Sequence, residues 1–241
     1  MSNFMSGVFP ILSTPFDSND NIIFNDVQSE IEYAIDSGVS GIAIALASEI
    51  YKLTDSERDD LLKKVVNYSN NRIKVCMNTS AESTKMCVEY SKKAQDFGAD
   101  AVMIAPPAFG GIDSSEIKKY FINVAESIEI PIFMQDVFET PISPELAFEL
   151  SQANENLAYL KVEVPPTLPR FNKLKKIANG KLPIPFGGAG GLFMIEEMRR
   201  GSQGTMPVCA IPEMFVKVFN LWIEGKESQA EEYFHNYIPL I

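Results

Sequence analysis

Histidine is almost missing from this chain: its 241 residues contain one, His235, in a polar stretch near the C-terminus. A single imidazole excludes histidine triads and metal centres built on several histidines. Cysteine is scarce as well. Cys76, Cys87 and Cys209 fall at no metal-like spacing, and three cannot all pair within one chain, so they read as reduced core residues. Positive charge is in deficit, with 21 Lys and Arg against 32 Asp and Glu and a formal net charge of −11. A broad contact with a phosphate backbone needs a basic face, so no nucleic-acid partner is expected. Long apolar runs are absent too. No segment approaches the length that spans a bilayer, and the opening MSNFMSGVFPILSTPF lacks a basic region followed by a long apolar stretch. No membrane partner is expected, and the expected compartment is the cytoplasm.

What is present is the composition of an ordinary globular protein, 46% hydrophobic and 22% charged. No linker, low-complexity tract or charge run divides the chain, so residues 1–241 are expected to form one domain. Short apolar runs recur, each followed by a longer segment of helical period: Val8 to Phe16, Gly41 to Ser48, Ile73 to Ser80, Ala101 to Phe109, Pro131 to Val137, Leu157 to Val164, Pro183 to Gly188, and Gly204 to Ala210. Thr54-Asp-Ser-Glu57 and Asp113-Ser-Ser-Glu116 carry the pattern of capping boxes, and Ser143-Pro144 places proline at a first helical position. The helix after Thr54 is expected to bury Leu61, Leu62, Val65 and Val66. Strands alternating with helices imply a parallel sheet covered by helices. Eight such units without a nucleotide-type glycine loop favour an α/β fold of the closed (β/α)8 TIM barrel kind, with an open doubly wound sheet as the alternative. Two more helical segments, Met214 to Glu224 and Glu227 to Tyr237, follow the last strand.

The sixth run, Leu157-Ala-Tyr-Leu-Lys-Val-Glu-Val164, sets a lysine among apolar residues. Strand alternation puts Tyr159, Lys161 and Glu163 on one face and Ala158, Leu160 and Val162 on the other, which should meet the helices. Lys161 then points into the barrel near its C-terminal mouth, where active sites of this fold are built. Burial disfavours the ammonium form and makes a neutral amine available to attack a carbonyl. The competing reading is a lysine held by Glu163 as a structural counter-ion, or one whose stem packs while its head reaches water.

Taken together, Gly7-Val-Phe-Pro-Ile-Leu-Ser-Thr-Pro-Phe16, Gly38-Val-Ser-Gly41, Leu53-Thr-Asp-Ser-Glu-Arg58, Gly98-Ala-Asp-Ala101 and Lys161 resemble the dihydrodipicolinate synthase/N-acetylneuraminate lyase family in order and spacing over nearly the whole chain. The resemblance implies a lysine-dependent lyase or aldolase barrel that needs no cofactor, takes a small 2-oxo acid, and assembles as a homo-oligomer, dimer or tetramer. It also implies a longer C-terminal helical extension than this chain carries. Departures from the family pattern are specific. Where the family usually has Gly-Thr-Thr-Gly-Glu, this chain has Ala45-Leu46-Ala47-Ser48-Glu49; the family's paired tyrosines appear as Pro107 and Ala108; its Tyr-Asn reads Gln135-Asp136; and its second-carboxylate arginine aligns with Thr140. These changes make tetrahydrodipicolinate formation improbable. The set Ala-Ser-Glu, Pro-Pro, Gln-Asp, Lys-Val-Glu and Gly204-Thr-Met-Pro207 is similar to family members that dehydrate 2-keto-3-deoxy sugar acids such as 2-keto-3-deoxyarabonate.

The expected mechanism starts with Lys161 adding to the C2 carbonyl of a 2-oxo acid, and the iminium acidifies C3 or permits retro-aldol cleavage. Without histidine or a relay tyrosine, the acid or base falls to Glu163, with Glu49, Asp136 and water behind it. Backbone amides around Ala47 and Ser48 are expected to hold the substrate carboxylate, Ser48 adding a hydroxyl donor unless it is only a turn residue. Gln135 should face inward and bind substrate hydroxyls, while Asp136 faces the helices and caps a turn. Gly187 and Gly188, with Gly190 and Gly191, form a glycine-rich turn where backbone can approach a ligand, although a simple tight loop fits the pattern equally. A pyruvate-dependent aldolase and a catalytically degenerate binding barrel remain as alternatives.

Overall fold

The structure, a computed structural model, describes residues 4–109 and 111–241. Its eight strands are β1 (Gly7–Val8), β2 (Gly41–Ile44), β3 (Lys74–Asn78), β4 (Ala101–Ile104), β5 (Ile132–Gln135), β6 (Tyr159–Val162), β7 (Ile184–Gly187) and β8 (Gly204–Thr205). Helices α1 (Phe24–Asp36), α2 (Asp55–Ser69), α3 (Thr84–Asp96), α4 (Ser114–Ala125), α5 (Pro144–Ala153), α6 (Thr167–Ala178), α7 (Met194–Arg199) and α8 (Pro212–Ile223) follow the strands in turn, and α9 (Glu227–His235) comes last. All pairings are parallel and run in sequence from β2 round to β8, with β8 next to β1. Ile11 bridges to both Ala43 and Val208, and the amide of Leu12 donates to Ala43 O at 2.9 Å, which brings the first strand against the second and closes the ring. Each expected run meets a strand, but the strands are shorter, and the first starts one residue early at Gly7 and shares only Val8 with its expected run. Pro10 and Pro207 have no N–H to continue a ladder, so regular pairing in β1 and β8 stops after two residues and survives beyond them only as isolated bridges.

The helix starts follow their local chemistry. Thr54 accepts from the amide of Glu57, and Glu57 accepts in return from the amide of Thr54, a reciprocal cap that satisfies two end donors of α2. Asp113 caps α4 through the amides of Ser115 and Glu116, but Glu116 pairs with Lys119 instead of reaching back, so the box is half formed. Ser143 caps α5 with Pro144 in the first turn. On α2 the inner stripe is Leu61, Leu62, Val65 and Ser69, with Val66 only half buried.

Two apolar layers result. Leu160, Val162, Ile132 and Met134 face outward into the sheet–helix layer, while Phe9, Met103, Phe133, Tyr159 and Phe186 fill the inside of the barrel. Phe133 stacks on Tyr159 with ring centres 4.3 Å apart, Phe186 meets both edge-on, and the Tyr159 hydroxyl accepts from the amide of Met5 at 2.6 Å. This aromatic plug makes the barrel a packed core whose polar chemistry is confined to its end. Ala158 departs from the expected alternation: it packs with the interior cluster, because pleating begins only at Tyr159. All three cysteines are free and buried.

Candidate active site

Lys161 lies on β6 one inward position above Tyr159, in register with Gln135 on β5 and Phe186 on β7. Its side chain is 4% exposed, and its Nζ sits 2.9 Å from Oε1 of Glu163. Glu163 follows two residues later on the same face and is 23% exposed, so the pair is open to water on the carboxylate side only. The strand step separates the two backbones by roughly 6–7 Å, and the side chains lean together across that gap. The lysine therefore sits on an apolar floor that penalises its charge and against a carboxylate that compensates it.

A string of amides extends from this pair. Gln135 Nε2 donates to Glu163 Oε2 at 2.8 Å, Asn78 Nδ2 donates to Gln135 Oε1 at 3.2 Å, and the amide of Ser80 donates to Asn78 Oδ1 at 3.1 Å. Asn78 and Gln135 are both buried. Ser80 is itself anchored, its hydroxyl accepting from the amide of Ala105 at 2.8 Å. The ends of β3, β4, β5 and β6 are thus joined by one polar chain that finishes at the lysine.

Asp136 points the other way, fully buried behind β5. It accepts from the amides of Ile142 at 2.9 Å and Val164 at 3.2 Å and pairs with Arg170 of α6 at 2.8 Å. Burial pushes its carboxyl above the usual range, with Arg170 opposing. It caps turns, as its position in the alternation implies, and takes no part in the polar chain.

The loop after β2 differs from its sequence reading in two places. Ser48 is buried, and its hydroxyl donates to Leu12 O and accepts from the amide of Ala45 at 3.0 Å. Its one proton is committed to the backbone, so it is not free to donate to a substrate carboxylate. The amide of Ser48 is likewise used, on Ala45 O, whereas that of exposed Ala47 has no backbone acceptor among the described residues. Glu49 sits in a left-handed conformation with its carboxylate on Lys52 at 3.1 Å, and this half-exposed pair does not join the chain around Lys161. The glycines of the β7 turn divide: a Cβ on Gly188 would lie 2.3 Å from Glu163 Cγ, so this residue forms a wall of the site, while one on Gly187 would lie 2.0 Å from Oε2 of Glu197, in the helix layer.

Asn78 is absent from the sequence-level candidates. The signal for it was available, since a polar residue two positions beyond inward-facing Cys76 at the mouth end of β3 falls on the same face. The loops after β4 and β5 are tied where relay tyrosine and arginine are missing, the Thr140 hydroxyl donating to Pro107 O at 3.0 Å. A cleft of about 910 Å³ opens at the other end of the barrel, beside Met5, Lys181 and Gln203, away from this chemistry. No helix among the described residues is long and apolar enough to cross a membrane.

Residues 4–241 match the Dihydrodipicolinate synthetase family. The chain is 27% identical over 241 residues to an L-2-keto-3-deoxyarabonate dehydratase of Azospirillum brasilense, covering 98% of this chain and 78% of the relative. It is 30% identical over 241 residues to a 4-hydroxy-tetrahydrodipicolinate synthase of Methanocaldococcus jannaschii, covering 98% and 81%. Among solved structures, a crystal structure of dihydrodipicolinate synthase superposes with a TM-score of 0.92 at 28% identity, covering 98% of this chain and 82% of that one. The Escherichia coli K12 prophage protein YagE, solved in complex with pyruvate, shares the fold with a TM-score of 0.89 at 20% identity, covering 95% and 78%. With the barrel, its polar mouth and its whole length in agreement, the chain belongs to the dihydrodipicolinate synthetase family and is an enzyme of the aldolase and lyase type.

Proposed function

We propose that this protein is a class I lyase that forms a Schiff base between Lys161 and a 2-oxo acid, and that it dehydrates a 2-keto-3-deoxy sugar acid. The observation that carries the reading is the contact between Lys161 Nζ and Glu163 Oε1, 2.9 Å apart above an apolar floor. Transfer of one proton across that contact converts an inert ammonium into a nucleophilic amine and leaves a carboxylic acid beside it. The amine adds to C2 of the 2-oxo acid, and the carbinolamine loses water to give an iminium. Glu163, now ionised, takes a proton from C3, and the electron pair moves into an enamine. Expulsion of the C4 hydroxyl, protonated by Glu163 as it leaves, completes the loss of water, and hydrolysis returns Lys161. Gln135 holds Glu163 by one oxygen, and the free amide of Ala47 is a donor for the substrate carboxylate.

Support for dehydration over synthase chemistry comes from this chain's own residues. Ser48 has no free donor, Pro107 stands in place of a tyrosine, and Thr140 occupies the arginine position with its hydroxyl turned to Pro107. The likeness to the Azospirillum dehydratase agrees with this. A pyruvate-dependent aldolase uses the same iminium and differs only in which substrate bond lies parallel to the π system. Incubation with pyruvate and borohydride followed by peptide mass analysis should place a reduced adduct on Lys161; an unmodified Lys161 would refute the mechanism. A panel of 2-keto-3-deoxy acids should then release water and no pyruvate, and pyruvate release would reassign the enzyme as an aldolase.

A further inference from the structure

We propose that Asn78 is a positioning residue that restricts proton traffic at Glu163 to one oxygen, Oε1, the oxygen facing Lys161. The inference rests on the Schiff-base reading and deepens it. Its basis is the direction of each hydrogen bond in the chain from Ser80 to Lys161. A backbone N–H can only donate, so the Asn78 atom facing Ser80 N at 3.1 Å is the carbonyl oxygen Oδ1. The other end of that amide, Nδ2, must then donate, and its acceptor at 3.2 Å is Gln135 Oε1. Gln135 is thereby turned so that Nε2 faces Glu163 Oε2 and donates to it at 2.8 Å. An oxygen that accepts from an amide N–H in this geometry has no room for a proton of its own on that side. Any proton held by Glu163 sits on Oε1, 2.9 Å from the lysine nitrogen. One backbone N–H thus sets the orientation of two side-chain amides and the protonation site of a carboxyl group three residues away in the chain of contacts.

The remaining surroundings leave the assignment intact. Gly188 packs against the Glu163 side chain and brings no charge. Lys161 on β6 is the charged group in contact with it, and Glu197 of α7 lies behind β7, on the far side of Gly187. Neither competes with Gln135 for Oε2. Asn78 is also held from below, Arg58 Nη2 donating to its backbone oxygen at 3.3 Å.

Substituting Asn78→Asp tests the polarity while keeping the shape. Two acceptor oxygens on residue 78 would reverse the Gln135 amide, aim Gln135 Oε1 at Glu163 Oε2, and stabilise a proton on the wrong oxygen. The probe is pyruvate in D2O. Once the iminium forms, Glu163 Oε1 removes a methyl proton from C3, the electron pair forms the enamine, and return of a deuteron exchanges the methyl group, read by proton NMR. Borohydride trapping on Lys161 reports the iminium separately. For N78D we expect the Lys161 adduct to persist, methyl exchange to fall by about 10-fold or more, and the pH profile of exchange to move to higher pH. Asn78→Ala, which removes the donor without reversing the amide, should slow exchange less and leave the profile nearer that of the parent. If N78D exchanges at the parental rate with the parental pH profile, or if trapping and exchange fall together with thermal stability and no change in profile, Asn78 is only structural and the proposal is overturned. Absence of a Lys161 adduct in the parent protein would instead overturn the Schiff-base reading itself.

Discussion

Glu163 is gripped at both oxygens, by Lys161 on one and Gln135 on the other, and its stem lies on the bare backbone of Gly188. Adding a methyl group there tests how much that placement matters. The Gly188→Ala Cβ would sit 2.3 Å from Glu163 Cγ and 2.7 Å from Oε1, closer than any real contact. The added methyl should push the Glu163 carboxylate out of place. Borohydride trapping on Lys161 should survive in this variant while turnover falls by about 100-fold, within the usual worth of a placed acid or base. Turnover close to that of the parent would mean that Glu163 has room to move and that its position is not critical. At Lys161 itself, Lys161→Ala should abolish trapping, and Lys161→Arg should do the same, because a guanidinium stays charged and is not a nucleophile.

At the scale of the elements, Asp136 links the end of β5 to the Ile142 turn, to Val164 after β6 and to Arg170 on α6. Arg170→Ala leaves that carboxylate buried without its counter-ion. The expected cost is about 2–4 kcal/mol in urea unfolding at pH 7, somewhat below a fully buried pair because two backbone donors remain and Arg170 keeps contact with water. The cost should shrink as pH falls and the orphaned carboxyl, already pushed up by burial, takes a proton; a loss independent of pH would argue that the arginine stem, not its charge, is what matters. The direction of Asp136, like that of Gln135 and Lys161, is legible in the sequence, because strand alternation assigns a face to every residue once the strand is recognised. Alternation also marks the eight strands and their order. It does not fix where pairing stops, which prolines 10 and 207 decide, nor the face of Ala158, which precedes the pleated segment. Loop residues are less legible. Ser48 finds its partner in Leu12, far along the chain, Glu49 turns to its near neighbour Lys52, and Asn78 acquires meaning only from Gln135 on β5 and the residues beyond it.

Over the whole molecule, polar groups are gathered at the barrel mouth, and the layer between strands and helices holds two buried carboxyls, Asp136 paired with Arg170 and Glu197. Glu197 of α7 is 1% exposed, and both its carboxyl oxygens lack a hydrogen-bond partner, as do the hydroxyls of Thr167 and Thr205. Burial pushes its carboxyl up to about 8, aided by repulsion from Glu163. The consequence for stability has a definite sign. Between an ordinary carboxyl value of 4.5 and about 8, the folded protein keeps this proton while the unfolded chain has released it. Stability must therefore fall as pH rises through that window, and the full cost is present above it. Glu197→Gln holds the shape and cannot ionise. Its melting temperature should match that of the parent near pH 5 and exceed it near pH 9, by an amount equivalent to about 1–3 kcal/mol against a ceiling of about 5 kcal/mol set by the size of the shift. Parallel pH–stability curves for parent and variant would show that the carboxylate reaches water or a cation when it ionises, and that the sheet–helix layer beside β7 is not dry.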